Sequence, residues 1–492
     1  MISKKNNYKR LFASVLTLVI ISCSNPWDDR ENNGDANLDS NLTEAITKTA
    51  ETSQFADLLV QTGYDKILAA SKTYTVFVPT NAAMAEVDEA ILIDEDALKQ
   101  FVANHIALTA YSSMRTSDVR IKMLSNKYLD FEGSNLIDGS TIVEADHYAQ
   151  NGVYHIIDKA LTPKLNIWQY VNAQEGNSAM ADYLLSLSQQ DYSIYTSDID
   201  AKILSEERGA GYLSDSLTNS YLRNVYNLNN ERNNYTLFLL KDAAYGTEID
   251  KMKPYTIKVS NDVEKDSTAL YAGYFTLRDL SFARKYKRSE LPETLTSRFG
   301  VEVPIDKTKI VEEIELSNGV VYVMDMMDVP TANRILTRQI EGESLSTYFN
   351  FNRPALAYRD RIDPFGVIYK DIKVEGPGAA LPIVKYVAKD FYSTTYKVYW
   401  RAINEQANVF SQQLSINGNS AVENNVTVPT DPIFTFPYIS VARFNYDEVY
   451  LGEFTLNKAQ DLNHIILLGA NTATNGNNSI VLDYLKFVPV LK

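Results

Sequence analysis

Cysteine, histidine and tryptophan are scarce in this chain: one, four and three among 492 residues. A lone cysteine, Cys23, excludes an intramolecular disulfide and any thiolate metal cluster. The four histidines are His105, His147, His155 and His464. His147 lies in a loop-like stretch with no acidic or histidine partner at helical i, i+4 spacing, so no metal site is expected there. Positive charge is also short, with 47 Lys and Arg against 62 Asp and Glu and a formal net charge of −15. Such a chain repels phosphate backbones, so nucleic acid is not an expected partner. There is no Gly-x-Ser-x-Gly elbow, Walker loop, dinucleotide-type glycine pattern or His-Glu-x-x-His. Any two carboxylates could flank a glycosidic bond, but nothing in the sequence singles out a pair. The expectation is a protein that is not an enzyme and needs no cofactor or metal, with a glycoside hydrolase as the remote alternative.

What the N-terminus does contain is ordered. Lys4, Lys5, Lys9 and Arg10 precede an apolar run from Leu11 to Ile21 that is too short to span a bilayer, and Ser22 and Cys23 follow. This is the three-part layout of a secretory signal. Ile20-Ile21-Ser22-Cys23 resembles the bacterial lipobox, which implies cleavage before Cys23 and acylation of Cys23 as a lipid anchor. Residues 1–22 are then a signal peptide, and losing their four cations takes the formal charge from −15 to −19. Residues 23–40 are acidic and Asn-rich, as suits a solvated tether. Asp28, Asp29 and Glu31 resemble the surface-export signals of Bacteroidota lipoproteins, which implies attachment to the outer membrane with the cell surface as the exposed side.

Two landmarks recur in the same order. "SKTYTVFVPTNAAMAEV" from Ser71 aligns with "NNYTLFLLKDAAYGTEI" from Asn233, and "QNGVYHIIDKALTP" from Gln150 aligns with "SNGVVYVMDMMDVP" from Ser317. Val76, Phe77 and Val78 read as a strand buried on both faces, and Pro79, with no ladder donor, ends it. Thr80 or Asn81 then offers a cap to a helix from Ala82. In the second copy Asp242 stands where Asn81 does, so a side-chain cap is expected there too. These motifs resemble the fasciclin domain, at Thr75 to Asn81, Asn151, Gly152, His155 and Asp158 in the first copy, with Asn104-His105 at a further family landmark. The second copy keeps Tyr235-Thr236, Phe238, Asn318-Gly319 and Asp325 but has Tyr322 in place of His155. The resemblance implies two β-wedge-plus-helix domains, at 41–164 and, diverged, at 165–333, and a role in adhesion or macromolecular binding. His105 and His155 are expected to satisfy buried partners in the core, and His464 to sit at a strand edge.

Beyond about Thr331, short alternating segments such as "TYKVYWRA" and "SIVLDYLKFVPV" are separated by Asn, Gly and Pro clusters. They read as an antiparallel β-sandwich over 334–492, making the whole an α+β multidomain chain. "TYKVYWRA" with the late Asn/Gly loop and "LDYLKFVPV" resembles the galactose-binding-like jelly rolls of carbohydrate-binding modules. That implies ligand-binding candidates Trp400, Tyr446, Asn477 and Asn478, aromatic rings and amides being the groups that stack on and hydrogen-bond to sugars. Trp400 also shares a strand face with Val398, which suits plain core. Val481 stands two residues before Asp483, where such modules often carry a sugar-binding Asn. The expected function is a lipid-anchored envelope binding or adhesion protein, accessory or glycan-binding subunit of an outer-membrane nutrient importer. The alternative makes the sandwich a carbohydrate-recognition module and the fasciclin-like pair a spacer. Expected partners are the membrane through Cys23, a polysaccharide or oligosaccharide, and importer subunits.

Overall fold

A computed structural model describes residues 40–69, 73–114, 118–132, 135–188, 218–260, 265–375, 381–407, 409–419, 431–470 and 479–492. Cys23, Asn477 and Asn478 lie outside the described residues. The chain is mixed α+β and divides into two compact units. The first takes the described residues up to Tyr170 with Leu228–Asn234 and Glu315–Gly319; the second takes Val171–Asn227, Tyr235–Ile314 and Val320–Lys492.

In the first unit the strand Tyr74–Pro79 is buried at every position and runs parallel to Gly152–Ile157, in register from Tyr74↔Gly152 to Pro79↔Ile157. This pair is the spine of a seven-stranded sheet ordered Ile106–Ala107, Tyr74–Pro79, Gly152–Ile157, Ser140–Ala149, Leu136–Ile137, Tyr128–Glu132, Val119–Lys122. The two-residue alternation sends Val76 and Val78 towards Leu42, Phe55, Leu59 and Phe101 of the helical layer. Phe77 points the other way, into a second cluster with Phe131, Ile137 and Ile157. Gly152 is required by proximity: a Cβ there would stand 2.2 Å from the Tyr74 carbonyl oxygen.

Thr80 caps the helix Asn81–Met84, its Oγ1 accepting from the Ala83 N–H at 3.1 Å. Asn81 is a tie to the start of the earlier helix Ser53–Gln61 and the turn before it: its Oδ1 accepts from the Gln54 N–H at 3.1 Å and its Nδ2 donates to the Ala50 carbonyl at 3.0 Å. The cap expected at Asp242 is therefore corrected. The helix Asp242–Met252 has Lys241 at its N-cap with no side-chain bond, while Asp242 Oδ1 accepts from the Ala179 N–H at 2.9 Å, at the start of the helix Ala179–Ser186. A carboxylate satisfies one of that helix's unpaired amides and suits its positive end.

Other contacts recur. Asn151 Oδ1 accepts from the Leu42 N–H at 2.9 Å and Asn151 Nδ2 donates to the Leu68 carbonyl; Asn318 Oδ1 accepts from the Ile167 N–H at 2.8 Å and its Nδ2 donates to the Leu228 carbonyl at 2.7 Å. Thr75 Oγ1 donates to the Thr109 carbonyl and accepts from the Tyr111 N–H, at 2.8 and 2.7 Å. Thr236 Oγ1 does the same with Arg284 and Tyr286, at 2.7 and 3.0 Å. In the second unit the strand Tyr235–Leu240 lies in a four-stranded sheet ordered Ser281–Phe282, Tyr235–Leu240, Gly319–Met324, Ile310–Leu316.

The C-terminal part of the second unit is all-β. One sheet is ordered Arg338–Glu341, Tyr484–Pro489, Thr395–Arg401, Val449–Thr455; another Thr347–Phe349, Ile383–Phe391, Gln460–Gly469, Phe410–Asn419, Asp431–Thr435, with Ile439–Val441 also on Phe410–Asn419. A third is ordered Leu356–Ile362, Ile368–Val374, Ile480–Leu482. The pairings are antiparallel, and inward side chains from all three sheets merge into one core, Val398, Tyr386 and Ile372 among them. This β-structure shares a smaller core with the segment before it: Ile249, Met252, Tyr255 and Phe275 pack with Ile335 and Tyr392. Ser393 seals that seam, its N–H on the Tyr255 carbonyl at 2.7 Å and its hydroxyl on the Pro254 carbonyl at 3.0 Å.

Candidate functional site

The strand Thr395–Arg401 alternates as far as Trp400, and the alternation decides where its aromatics go. Tyr396, Val398 and Trp400 face inward, and Trp400 is 1% exposed within the β-core. Its ring is packing. Lys397 and Tyr399 face the other way.

Arg401, at the end of the strand, gathers the loops at that edge. Its Nη1 donates to Asp483 at 2.6 Å, its Nη2 to Asp363 at 2.9 Å and its Nε to the Tyr446 carbonyl at 2.8 Å. The guanidinium also lies 4.8 Å from the centre of the Tyr369 ring. Planar, multivalent donation of this kind is what distinguishes Arg from Lys. Burial pushes the Asp483 carboxyl up to about 6 against the pull of Arg401. Asp483 is thus spent on the fold, and Val481 on a two-way bond with the Gln412 amide at 3.1 and 3.2 Å. Tyr446 is half-buried, and its hydroxyl reaches Glu405 at 3.5 Å, the same carboxylate that Arg361 meets at 3.6 Å.

The outer face of the four-stranded sheet is the better-formed surface. Tyr399 pairs directly across from Tyr450, ring centroids 5.2 Å apart at 48°, with Tyr450 49% exposed. The next strand places Lys486 across from Tyr399, its ammonium 5.9 Å from the ring centre. Beside the rings, Glu448 accepts from Lys486 Nζ at 2.9 and 3.0 Å and from the Tyr484 hydroxyl at 2.7 Å. Burial works to raise the Glu448 carboxyl, but the Lys486 and Tyr484 bonds outweigh it and hold it below its usual value. Burial, then the hydrogen bond to Glu448 and its charge, push the Tyr484 phenol up. At neutral pH the face therefore offers two aromatic faces, a fixed carboxylate acceptor and an ammonium, with the Tyr484 hydroxyl proton already committed to Glu448. That is the chemistry that stacks on and hydrogen-bonds to a polyhydroxylated ring.

Among the described residues that the sequence names, Tyr446 joins the strand bearing Tyr399 through its carbonyl on Arg401; Asn477 and Asn478 lie outside the described residues. Tyr399, Tyr450, Glu448, Tyr484 and Lys486 were not singled out, although the outward half of the "TYKVYWR" alternation pointed at Tyr399. Elsewhere, His105 Nδ1 donates to the Phe101 carbonyl at 2.9 Å and its Nε2 accepts from the Leu161 N–H at 2.8 Å. His155 Nε2 meets the Tyr111 carbonyl at 2.9 Å, and the Tyr322 hydroxyl donates to the Tyr286 carbonyl at 2.8 Å. Both histidines are spent on backbone groups. Among the described residues no group of three or more His, Cys, Asp or Glu side chains converges to hold a metal.

A family model described as Fasciclin domain matches residues 50–163. Protein sll1483 of Synechocystis sp. is 29% identical over 107 residues, which are 20% of this chain and 59% of that protein, so the chain spans about three-fifths of that relative's length. Among solved structures, a FAS1 domain pair from the insect cell adhesion molecule Fasciclin I is similar over 58% of this chain and 99% of its own, at 16% identity and a TM-score of 0.23. The CBM36-1 domain of a multidomain xylanase from the hindgut metagenome of Trinervitermes trinervoides covers 32% of this chain and 98% of its own, at 19% identity and a TM-score of 0.21.

Proposed function

We propose that the chain is a non-catalytic binding protein of the bacterial envelope whose β-sandwich holds carbohydrate on the Tyr399–Tyr450 face. The observation that carries this reading is the cross-strand tyrosine pair set beside the Glu448–Lys486–Tyr484 hydrogen-bonding group on a solvent-facing sheet. The N-terminal fasciclin match suits adhesion or presentation. The test is a glycan array probed with the full chain carrying Cys23→Ser. Bound glycans should lose at least about tenfold in affinity with Tyr450→Ala and with Glu448→Gln. A blank array, or binding that both variants leave intact, refutes it.

Residues 165–333 are, in this proposal, a second and diverged fasciclin-like repeat. Its support is the recurrence of the Asn151, Thr75 and Asn81 contacts at Asn318, Thr236 and Asp242. The lipobox at Ile20 to Cys23 supports an acyl anchor at Cys23 and an outer-membrane location. Labelled palmitate should enter the wild-type chain and not Cys23→Ala; equal labelling removes the anchor. An accessory role beside an outer-membrane importer follows from the same resemblance. It predicts importer subunits in a pull-down of the detergent-solubilised protein, and their absence counts against it.

A further inference from the structure

One end of the β-sandwich carries a hairpin that the glycan face does not use. Strands Leu356–Ile362 and Ile368–Val374 pair in register out to Ile362↔Ile368, and residues 363–367 close them. Four apolar side chains crowd this tip: Ile362 is 67% exposed, Phe365 81%, Val367 53% and Ile368 76%. Single exposed apolar residues are ordinary, but four within seven positions form a patch that calls for a partner.

The tip is also held rigid. Asp363 Oδ1 accepts from the N–H groups of Phe365 and Val367, both at 2.9 Å, while the Asp363 N–H donates to the Val367 carbonyl at 2.9 Å. Gly366 takes φ +84°, the left-handed conformation that turn requires. The other Asp363 oxygen is fastened to buried Arg401 at 2.9 Å. Phe365 is therefore presented outward by a turn whose polar groups are already satisfied.

The stem behind the tip is electrically neutralised. Arg359 pairs with Asp371, Lys370 with Asp360 at 3.6 Å, Arg361 with Glu405 at 3.6 Å, and Lys373 with Glu375. Strand addition by a second copy is opposed, because the edge strand carries the charged run Arg359-Asp360-Arg361. A protein groove would have to match a convex tip with Ile362 and Ile368 on one face and Phe365 and Val367 around the turn. A fluid interface needs no such match, and the internally paired stem brings no bare charge to a neutral headgroup layer.

We propose that this hairpin is a membrane-docking tip that inserts Phe365, with Ile362, Val367 and Ile368 around it, into the interfacial layer of a zwitterionic bilayer. The inference goes beyond the glycan reading and shares none of the residues that test it. The experiment is co-sedimentation of the full chain carrying Cys23→Ser, which removes any acyl anchor, with phosphatidylcholine–phosphatidylethanolamine vesicles. Binding is expected, weakened at least about tenfold by Phe365→Asp and again by Ile368→Asp, and unchanged between 0.05 and about 0.5 M salt. Phe365→Trp should emit further to the blue with vesicles and be quenched by brominated lipid. No sedimentation, sedimentation that Phe365→Asp leaves intact, steep salt dependence, or an unshifted Trp emission would each overturn the proposal. So would concentration-dependent dimerisation abolished by Phe365→Asp without vesicle binding, which would assign the tip to a second copy. Unchanged circular dichroism in both Asp variants excludes misfolding as the cause.

Discussion

His105 shows how much one buried side chain can contribute. Burial drives its imidazole down from 6.5 to about 4, with the bond to the Phe101 carbonyl working in the opposite direction. A base whose pKa falls on folding stabilises the fold above its unfolded value, and the contribution is lost as pH drops through the folded value. Between about pH 6.5 and about pH 4 the first unit should lose about 3 kcal/mol through this residue. Urea midpoints followed across that range should drop for the wild type and drop less for His105→Gln; parallel curves would show that His105 is not the source. Arg401 is the opposite case, a buried cation shared by two carboxylates. Arg401→Met leaves Asp363 and Asp483 without their counter-charge and should lower stability by about 3–5 kcal/mol at pH 7. A melting temperature within a degree or two of wild type would contradict that role.

At the level of elements, the neighbouring strands Tyr74–Pro79 and Gly152–Ile157, and Tyr235–Leu240 and Gly319–Met324, carry an interchangeable part. His155 stacks on Phe77 at 5.4 Å and meets the Tyr111 carbonyl; Tyr322 stacks on Phe238 at 5.7 Å and meets the Tyr286 carbonyl. A phenol thus does in one sheet what an imidazole does in the other. Tyr322→Phe should lose about 1 kcal/mol by leaving that carbonyl unpaired, and Tyr322→His should recover part of it. A Tyr322→Phe variant as stable as wild type would mean that the ring, not the donor, matters. The same elements show what was legible in the sequence. The strand, the proline stop and the Thr80 cap are local patterns, as is the inward face of Tyr396, Val398 and Trp400. The duties of Asn81 and Asp242 were not legible, because their partners lie 27 and 63 residues away. Arg401 was missed for the same reason, with Asp363 and Asp483 at separations of 38 and 82. The hairpin tip did leave a local trace, Asp-Pro-Phe-Gly between two alternating strands, which turn chemistry alone could have flagged.

At the level of the whole molecule, the β-sandwich is not free-standing within its unit. Ile335 and Tyr392 complete a core with Ile249, Met252, Tyr255 and Phe275, and the Arg334–Glu248 pair beside it is buried at 1% and 0% exposure. Residues 334–492 expressed alone would bare that apolar surface and leave Arg334 unpaired. The fragment should therefore melt several degrees below the same sandwich in the full chain and bind a hydrophobic dye, as scanning calorimetry and dye fluorescence would show. A fragment as stable as the parent would mean the seam contributes nothing. Binding assays on the sandwich consequently belong on the longer chain.

Two of the five Asn-Gly pairs in the chain, 151–152 and 318–319, carry a consequence for chemical ageing. Asn-Gly is the dipeptide most prone to deamidation, since an unhindered glycine nitrogen can close on the side-chain carbonyl to form a succinimide. Here each asparagine amide is held at both ends, Asn151 by Leu42 and Leu68, Asn318 by Ile167 and Leu228, so closure must wait for the strand start to open. The rate at which each site gains one mass unit on storage then serves as a clock for local opening, readable by peptide mapping without any label.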